Sequence, residues 1–190
     1  MHITTRELNF ADYWTVQRNA LAMKYHHARA LIHRPYLCVL QIRHNEPMYM
    51  SLLETHPAEV RVMEHRAIQE ARSTARLLHT IQDVEELVHD FPWWQMISCL
   101  VCASSMLVMA AVCSVCERTN RAVNKPVLAP EDEDLVNDPS GLDEDAEMCL
   151  KVFEALSVHS RAAGRARDML QRLKTSASQI QCEWPVNRRR

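Results

Sequence analysis

An all-α fold, an irregular multi-helix bundle around a central buried apolar helix at about residues 92–118, is what this 190-residue sequence predicts. Three features carry that expectation. Only two glycines occur, Gly141 and Gly164, so the turn chemistry of hairpins and tight strand connections is missing. Apolar residues recur at three- and four-residue intervals over several long stretches, the spacing of an amphipathic helix. Prolines stand where helices start and stop.

From about Asp12 to His33, "DYWTVQRNALAMKYHHARALIH", the residues Trp14, Leu21, Tyr25, Ala28 and Ile32 follow helical spacing, and Pro35 ends the run. Next, "YLCVLQIRHNEPMYMSLLETH" carries Pro47 and no sustained period. It reads as a loop with a short helical turn around Met48 to Leu53. Thr55 or His56 caps a second long helix that opens on Pro57, with a core stripe of Val60, Ala67, Ala71, Leu78 and Ile81. Asp83 to His89 reads as one more short helical piece before Asp90 and Pro92 start the apolar helix. Beyond it, "NKPVLAPEDEDLVNDPSG" combines prolines with an acidic run, the composition of a solvated linker. The segments "DEDAEMCLKVFEALSVHS" and "AAGRARDMLQRLKTSA" then place acidic residues early and basic residues late, as helix dipoles favour. The expected organisation is a helical core at 1–118, an acidic Pro-rich loop at 119–141, a closing helical pair at 142–176 and a tail at 177–190.

The stretch "CLVCASSMLVMAAVCSVC", Cys99 to Cys116, holds two Cys-x-x-Cys pairs without a charge. A zinc site needs four thiolates around one ion, whereas a helical rise of about 1.5 Å per residue separates Cys102 from Cys113 by roughly 16 Å. Reversing the chain between the pairs would need glycine or proline, and "ASSMLVMAAV" has neither. All four cysteines instead fall within about a third of the helix circumference, a stripe of small side chains suited to close helix packing. The length also meets the criterion for a membrane span. Against a span stand Gln95, Ser98, Ser104, Ser105 and Ser114, which point in several directions, and mixed charges at the C-terminal flank. A buried central helix is therefore the expectation, and a membrane location is not.

Scarce glycine removes phosphate-cradling loops and the nucleophile elbow. A formal charge of −2 supplies no field for duplex DNA or RNA. Seven cysteines, an odd number, behind an N-terminus without a secretion signal point to reduced intracellular thiols. His26, His27 and His33 beside Tyr25 form the densest titratable cluster, yet His26 and His33 lie about 10 Å apart along a helix, and no His-Glu-x-x-His pattern accompanies them. No enzyme is expected, and no catalytic or metal residue is assigned.

With the helices placed, "YHHARALIHRPYL" (Tyr25 to Leu37) and "FPWWQMISCLVCASSMLVMA" (Phe91 to Ala110) resemble the fungal-specific transcription factor domain. That domain is the regulatory middle region of fungal binuclear zinc-cluster transcription factors. "CLKVFEALS" and "AGRARDMLQRL", Cys149 to Leu173, follow in the family's order, so the resemblance spans most of the chain outside 38–56 and 119–141. None of the cysteines forms the family's six-cysteine DNA-binding cluster. A truncated gene, a fragment or a stand-alone paralogue would account for that. The resemblance implies a nuclear regulatory domain, or a cytoplasmic one if truncated, for genes of a metabolic or secondary-metabolite cluster. It also implies protein partners such as co-regulators or a full-length factor, homo- or heterodimerisation, and a small-molecule effector. It implies no DNA contact by this segment and no cofactor, since zinc belongs to the missing module. His33, Arg34, Trp93 and Trp94 are the residues singled out as an effector or interaction surface. Packing and capping roles are the simpler account of all four. The alternatives are a small single-span membrane protein and a helical small-molecule-binding module unrelated to transcription. The tail "NRRR" reads as a solvated end or part of a nuclear import signal.

Overall fold

Glycine-poor sequence and proline-marked boundaries give a chain of helices. The computed structural model describes residues 10–43, 45–81, 91, 93–123 and 139–183. Among them are seven α-helices: α1 (Phe10–His33), α2 (Val39–Ile42), α3 (Pro47–Thr55), α4 (Pro57–His79), α5 (Trp93–Val123), α6 (Pro139–Ser157) and α7 (Arg161–Glu183), with a 3-10 turn at Arg34–Tyr36. No strand occurs among the described residues, and the fold is an all-α bundle. The expected piece at 83–89, most of the acidic stretch and the end of the tail lie outside them.

Each boundary has a local cause. Pro35 sits in the second position of the 3-10 turn, within the first turn where its missing N–H is harmless, and α1 stops at His33. Cys38 then adopts a left-handed conformation, φ 50 and ψ 42, uncommon for a residue with a side chain. Glu64 of α4 holds it by accepting the Cys38 N–H at 2.7 Å. Pro47 and Pro57 each begin a helix, with Glu46 and His56 as the capping positions. The helical turn expected around Met48 to Leu53 lies within the longer α3, and α2 adds a second short helix where a loop is expected. Both are too short for a period to show in sequence.

α5 is the centre. It packs against α4, α6 and α7, and more lightly against α1. Met96, Leu100, Ala103, Met106, Leu107 and Ala110 are among its buried residues, and at 100° per residue its buried arc covers about 220° of the circumference. The outer strip holds Trp94, Ser98 and Met109. Ser98 and Ser105 donate back to the carbonyls of Trp94 (3.0 Å) and Cys102 (2.8 Å), so their hydroxyls are satisfied within the helix. α5 extends to Val123, past the expected end near Arg118. The closing pair runs from Pro139 to Glu183, longer than 142–176 at both ends.

α4 lies between α1 on one side and α5 with α6 on the other. Its inner face is small, with Ala67, Ala71 and Ala75 fully buried beside Ile68 and Leu78. Short side chains let three helices approach α4 closely. Four of its five expected core residues are buried, and Ile81, just past the helix, packs on the core while half-buried. α6 and α7 form a hairpin turned at Val158 to Ser160, closed by Phe153, Leu156, Ala163 and Leu170.

α1 departs from expectation. The stripe that marks it as amphipathic faces outward: Trp14 is 64% exposed, Leu21 69%, Tyr25 52% and Ile32 66%. The face on the core carries Met23 and Ala30, both buried, with Ala20 packed beside them. Periodicity shows that residues share a face, but which face meets the core depends on the neighbour. α4 presents alanines and a buried carboxylate, and accepts the shorter, more polar side of α1.

Candidate functional site

The polar seam between α1 and α4 gathers the titratable groups around Glu70, which is 7% exposed. His26 Nδ1 lies 2.6 Å from Glu70 Oε2, and Arg29 Nε 2.9 Å from Oε1. Arg29 also donates to the Tyr25 hydroxyl at 2.5 Å and sits over the Tyr25 ring, 5.2 Å from its centre. A buried carboxylate costs several kcal/mol of desolvation unless paired, about what two cationic or polar donors return. The seam therefore fixes the rotation of α1 on α4. The spacing of Tyr25, His26 and Arg29 places one turn of α1 across one carboxylate.

His33 ends α1 half-buried, and its Nδ1 has no hydrogen-bond partner among the described residues. Burial pushes its pKa below the ordinary histidine value, and the charges of Arg66 and Arg29 push in the same direction. His27 is lowered by burial. Arg34 is exposed. It lies close enough to α5 that its charge partly offsets the rise that burial imposes on the Cys102 thiol. Trp94, 62% exposed, stands at the start of α5, eight residues before Cys102, about 12 Å along the axis. His33 and Arg34 thus form one locus and Trp94 another. Trp93 begins α5.

The cysteine stripe lies where α1 and the turn after it cross α5. Cys99 is 1% exposed and Cys113 8%, and Cys38 Sγ approaches the Met109 carbonyl at 3.9 Å. Burial raises the Cys99 thiol to about 11 and the Cys149 thiol to about 12. Protonated and enclosed, they act as small apolar side chains. Among the described residues no group of three His, Cys, Asp or Glu side chains is placed to hold a metal ion.

A second buried carboxylate lies outside every motif. Asp145 of α6, 1% exposed, accepts from Arg72 Nε at 2.5 Å, Arg76 Nε at 2.8 Å and Arg76 Nη2 at 3.3 Å. Gly141, one turn earlier, makes room for it: a Cβ there would lie 2.9 Å from Arg72 Nη2. Glu70 and Asp145 escaped the sequence reading because each looks like a surface residue. The only trace is the Arg72–Arg76 pair at four-residue spacing beside an apolar stripe.

Chemically, the His26–Glu70 dyad has the form of an oriented base, yet His26 makes no hydrogen bond to a serine, threonine or cysteine among the described residues. What the arrangement does is lock helices. An open groove of about 400 Å³ runs along α7, bordered by Arg165, Met169, Arg172 and Leu173. Compared with known proteins, the chain matches no family model, no curated protein and no solved structure.

Proposed function

We propose that the chain is a regulatory and protein-interaction module of transcription, similar to the middle region of fungal binuclear zinc-cluster factors, acting in the nucleus without catalysis or DNA contact of its own. One observation carries the reading. The phrases that resemble the family fall, in order, on packed helices of one bundle: "YHHARALIH" ends α1 at a proline turn, "WWQMISCLVCASSMLVMA" opens the central helix, and "CLKVFEALS" with "AGRARDMLQRL" forms the closing hairpin. The engagement of Glu70 and Asp145 in helix-locking ion pairs supports a structural use of the titratable groups. His33 and Arg34, at the turn that follows α1, are the effector or partner contact in this reading, with Trp93 and Trp94 at the start of α5.

The test tethers the chain to an unrelated DNA-binding domain and reads a reporter in a fungal host. A several-fold change in output, with co-purification of transcription proteins, is the expected result. An unchanged reporter from a fusion that accumulates in nuclei overturns the proposal, and so does tight, salt-sensitive binding of duplex DNA by the isolated chain.

A second reading rests on Trp94–Val115, 22 residues with a mean hydropathy of 2.3 and so long and apolar enough to cross a membrane. The burial of 56% of that window inside the bundle favours the first.

A further inference from the structure

α1 turns outward a line of large apolar side chains. Trp14, Leu21, Tyr25 and Ile32 are each more than half exposed, and Ala28 is exposed on the same line. Their positions, with Arg18 filling the gap, alternate at intervals of four and three, the seam spacing by which one helix packs along another. At 100° per residue the apolar five fall within about 60° of the circumference. They extend for about 27 Å, the length of a five-turn contact. The large side chains leave on the order of 500 Å² of apolar surface in one strip, within the size range of the largest apolar patch of a typical monomer, which is often a functional one.

Charge identifies the occupant. From Tyr13 to Asn45 there is no Asp or Glu, while Arg18, Lys24, Arg29, Arg34 and Arg43 fall in that span. Arg29 is engaged by Glu70, but Arg18 and Lys24 are exposed and have no acidic partner among the described residues. They stand on opposite sides of the apolar line, Arg18 about 40° to one side and Lys24 about 80° to the other. We infer that the outer face of α1 is a docking surface for an acidic amphipathic helix of a partner protein. The partner lays its own apolar seam on Leu21, Tyr25 and Ile32 and sets Asp or Glu side chains against Arg18 and Lys24. A second copy of this chain would oppose cations to cations, which the same geometry disfavours. A bilayer surface calls for an apolar face far wider than 60°. The inference deepens the reading of an interaction module by naming the partner's chemistry and does not need the transcriptional setting. The reporter and the docking experiment therefore fail independently.

The probe is a synthetic three-heptad peptide with Leu at the seam positions and Glu at the flanking ones, paired with a control carrying Lys in place of Glu. Fluorescence anisotropy with the full chain should show saturable micromolar binding of the Glu peptide that weakens with salt, and little binding of the Lys peptide. Leu21→Glu, a surface change checked by an unaltered circular dichroism spectrum, should weaken binding at least about tenfold. The double variant Arg18→Glu, Lys24→Glu should reverse the preference between the two peptides. Equal binding of both peptides, or binding indifferent to Leu21→Glu, overturns the inference. A dimer in sedimentation that Leu21→Glu dissolves overturns it in favour of a second copy. Tighter binding to phosphatidylserine vesicles than to the Glu peptide overturns it in favour of a membrane.

Discussion

Replacing Asp145 with alanine should cost about 3 kcal/mol, the lower end of the range for removing one member of a buried ion pair. The structure explains why the lower end applies. Asp145 is 1% exposed, and its two partners differ: the Arg72 side chain is 17% exposed and that of Arg76 55%. Once the carboxylate is gone, Arg76 can swing into water at little cost. Arg72 is held between α4 and α6 and keeps a charge without a counter-ion. A loss of about 3 kcal/mol lowers the melting temperature of a chain this long by roughly 9 °C. Urea unfolding followed by helical circular dichroism measures it directly. The sharper measurement is a pair of double-mutant cycles, Asp145→Ala with Arg72→Ala and with Arg76→Ala, in which the coupling to Arg72 should exceed that to Arg76. A cost below about 1 kcal/mol, or the reverse order of couplings, would refute the claim that this pair pins α4 to α6.

Gly141→Ala tests the same joint from the other side. In the wild-type chain the new Cβ must push the Arg72 Nη2 end aside, which offsets part of the gain from reduced backbone entropy, whereas with Arg72→Ala the same change raises stability by the full amount, up to about 1 kcal/mol. Stability should also fall on acidification below pH 6.5. His27 and His33 are held below their ordinary value, so the unfolded chain takes up protons there that the folded chain refuses, and their contribution is complete only above that pH. His33→Gln should flatten the decline of the urea midpoint between pH 7 and 5.5, and an unchanged slope would exclude His33 as its source. Cys99 and Cys149, raised to about 11 and about 12, should resist iodoacetamide at pH 8 in the native chain and react in urea. Mass spectrometry reads this site by site, and native labelling of Cys149 at the unfolded rate would contradict its burial.

The fold class was legible because it depends on local chemistry. Two glycines leave few ways to turn a strand, and Pro35, Pro47 and Pro57 act within one turn of where they stand. The cysteine stripe was legible for a similar reason, since helical rise alone separates Cys102 from Cys113. What stayed hidden depends on partners distant in sequence. Glu70 lies 44 residues from His26, and Asp145 lies 73 from Arg72 and 69 from Arg76. Nothing in an isolated Glu or Asp shows that a helix distant in sequence will close over it. The rotation of α1 was hidden in the same way. Trp14, Leu21, Tyr25 and Ile32 make the stronger apolar stripe, but the alanine face of α4 and the Glu70 carboxylate select the side with Met23, Ala30 and His26. Of the four residues singled out, His33 and Arg34 meet at the end of α1 because they are neighbours in sequence. Trp94 stands apart because α5 is unbroken helix between it and Cys102.

α5 shows why composition cannot assign a helix its solvent. Trp94–Val115 satisfies the length and hydropathy of a membrane span, and a core helix needs the same properties over the arc its neighbours cover. The difference lies in the strip left over. On α5 that strip carries Ser98, exposed, and Met109, 38% exposed, opposite the face that meets α4, α6 and α7. If the strip faces water, Ser98→Lys with Met109→Lys places two cations where their stems lie along apolar surface and their ends reach solvent, a change worth less than about 0.5 kcal/mol at each site. In a bilayer each lysine would cost up to about 3 kcal/mol, most of it at Met109, which lies nearer the middle of the window. The double variant should therefore stay folded in detergent-free buffer with a urea midpoint close to wild type. Loss of folded protein from buffer, reversed only by lipid or detergent, would move the exposed strip of α5 from water into the membrane.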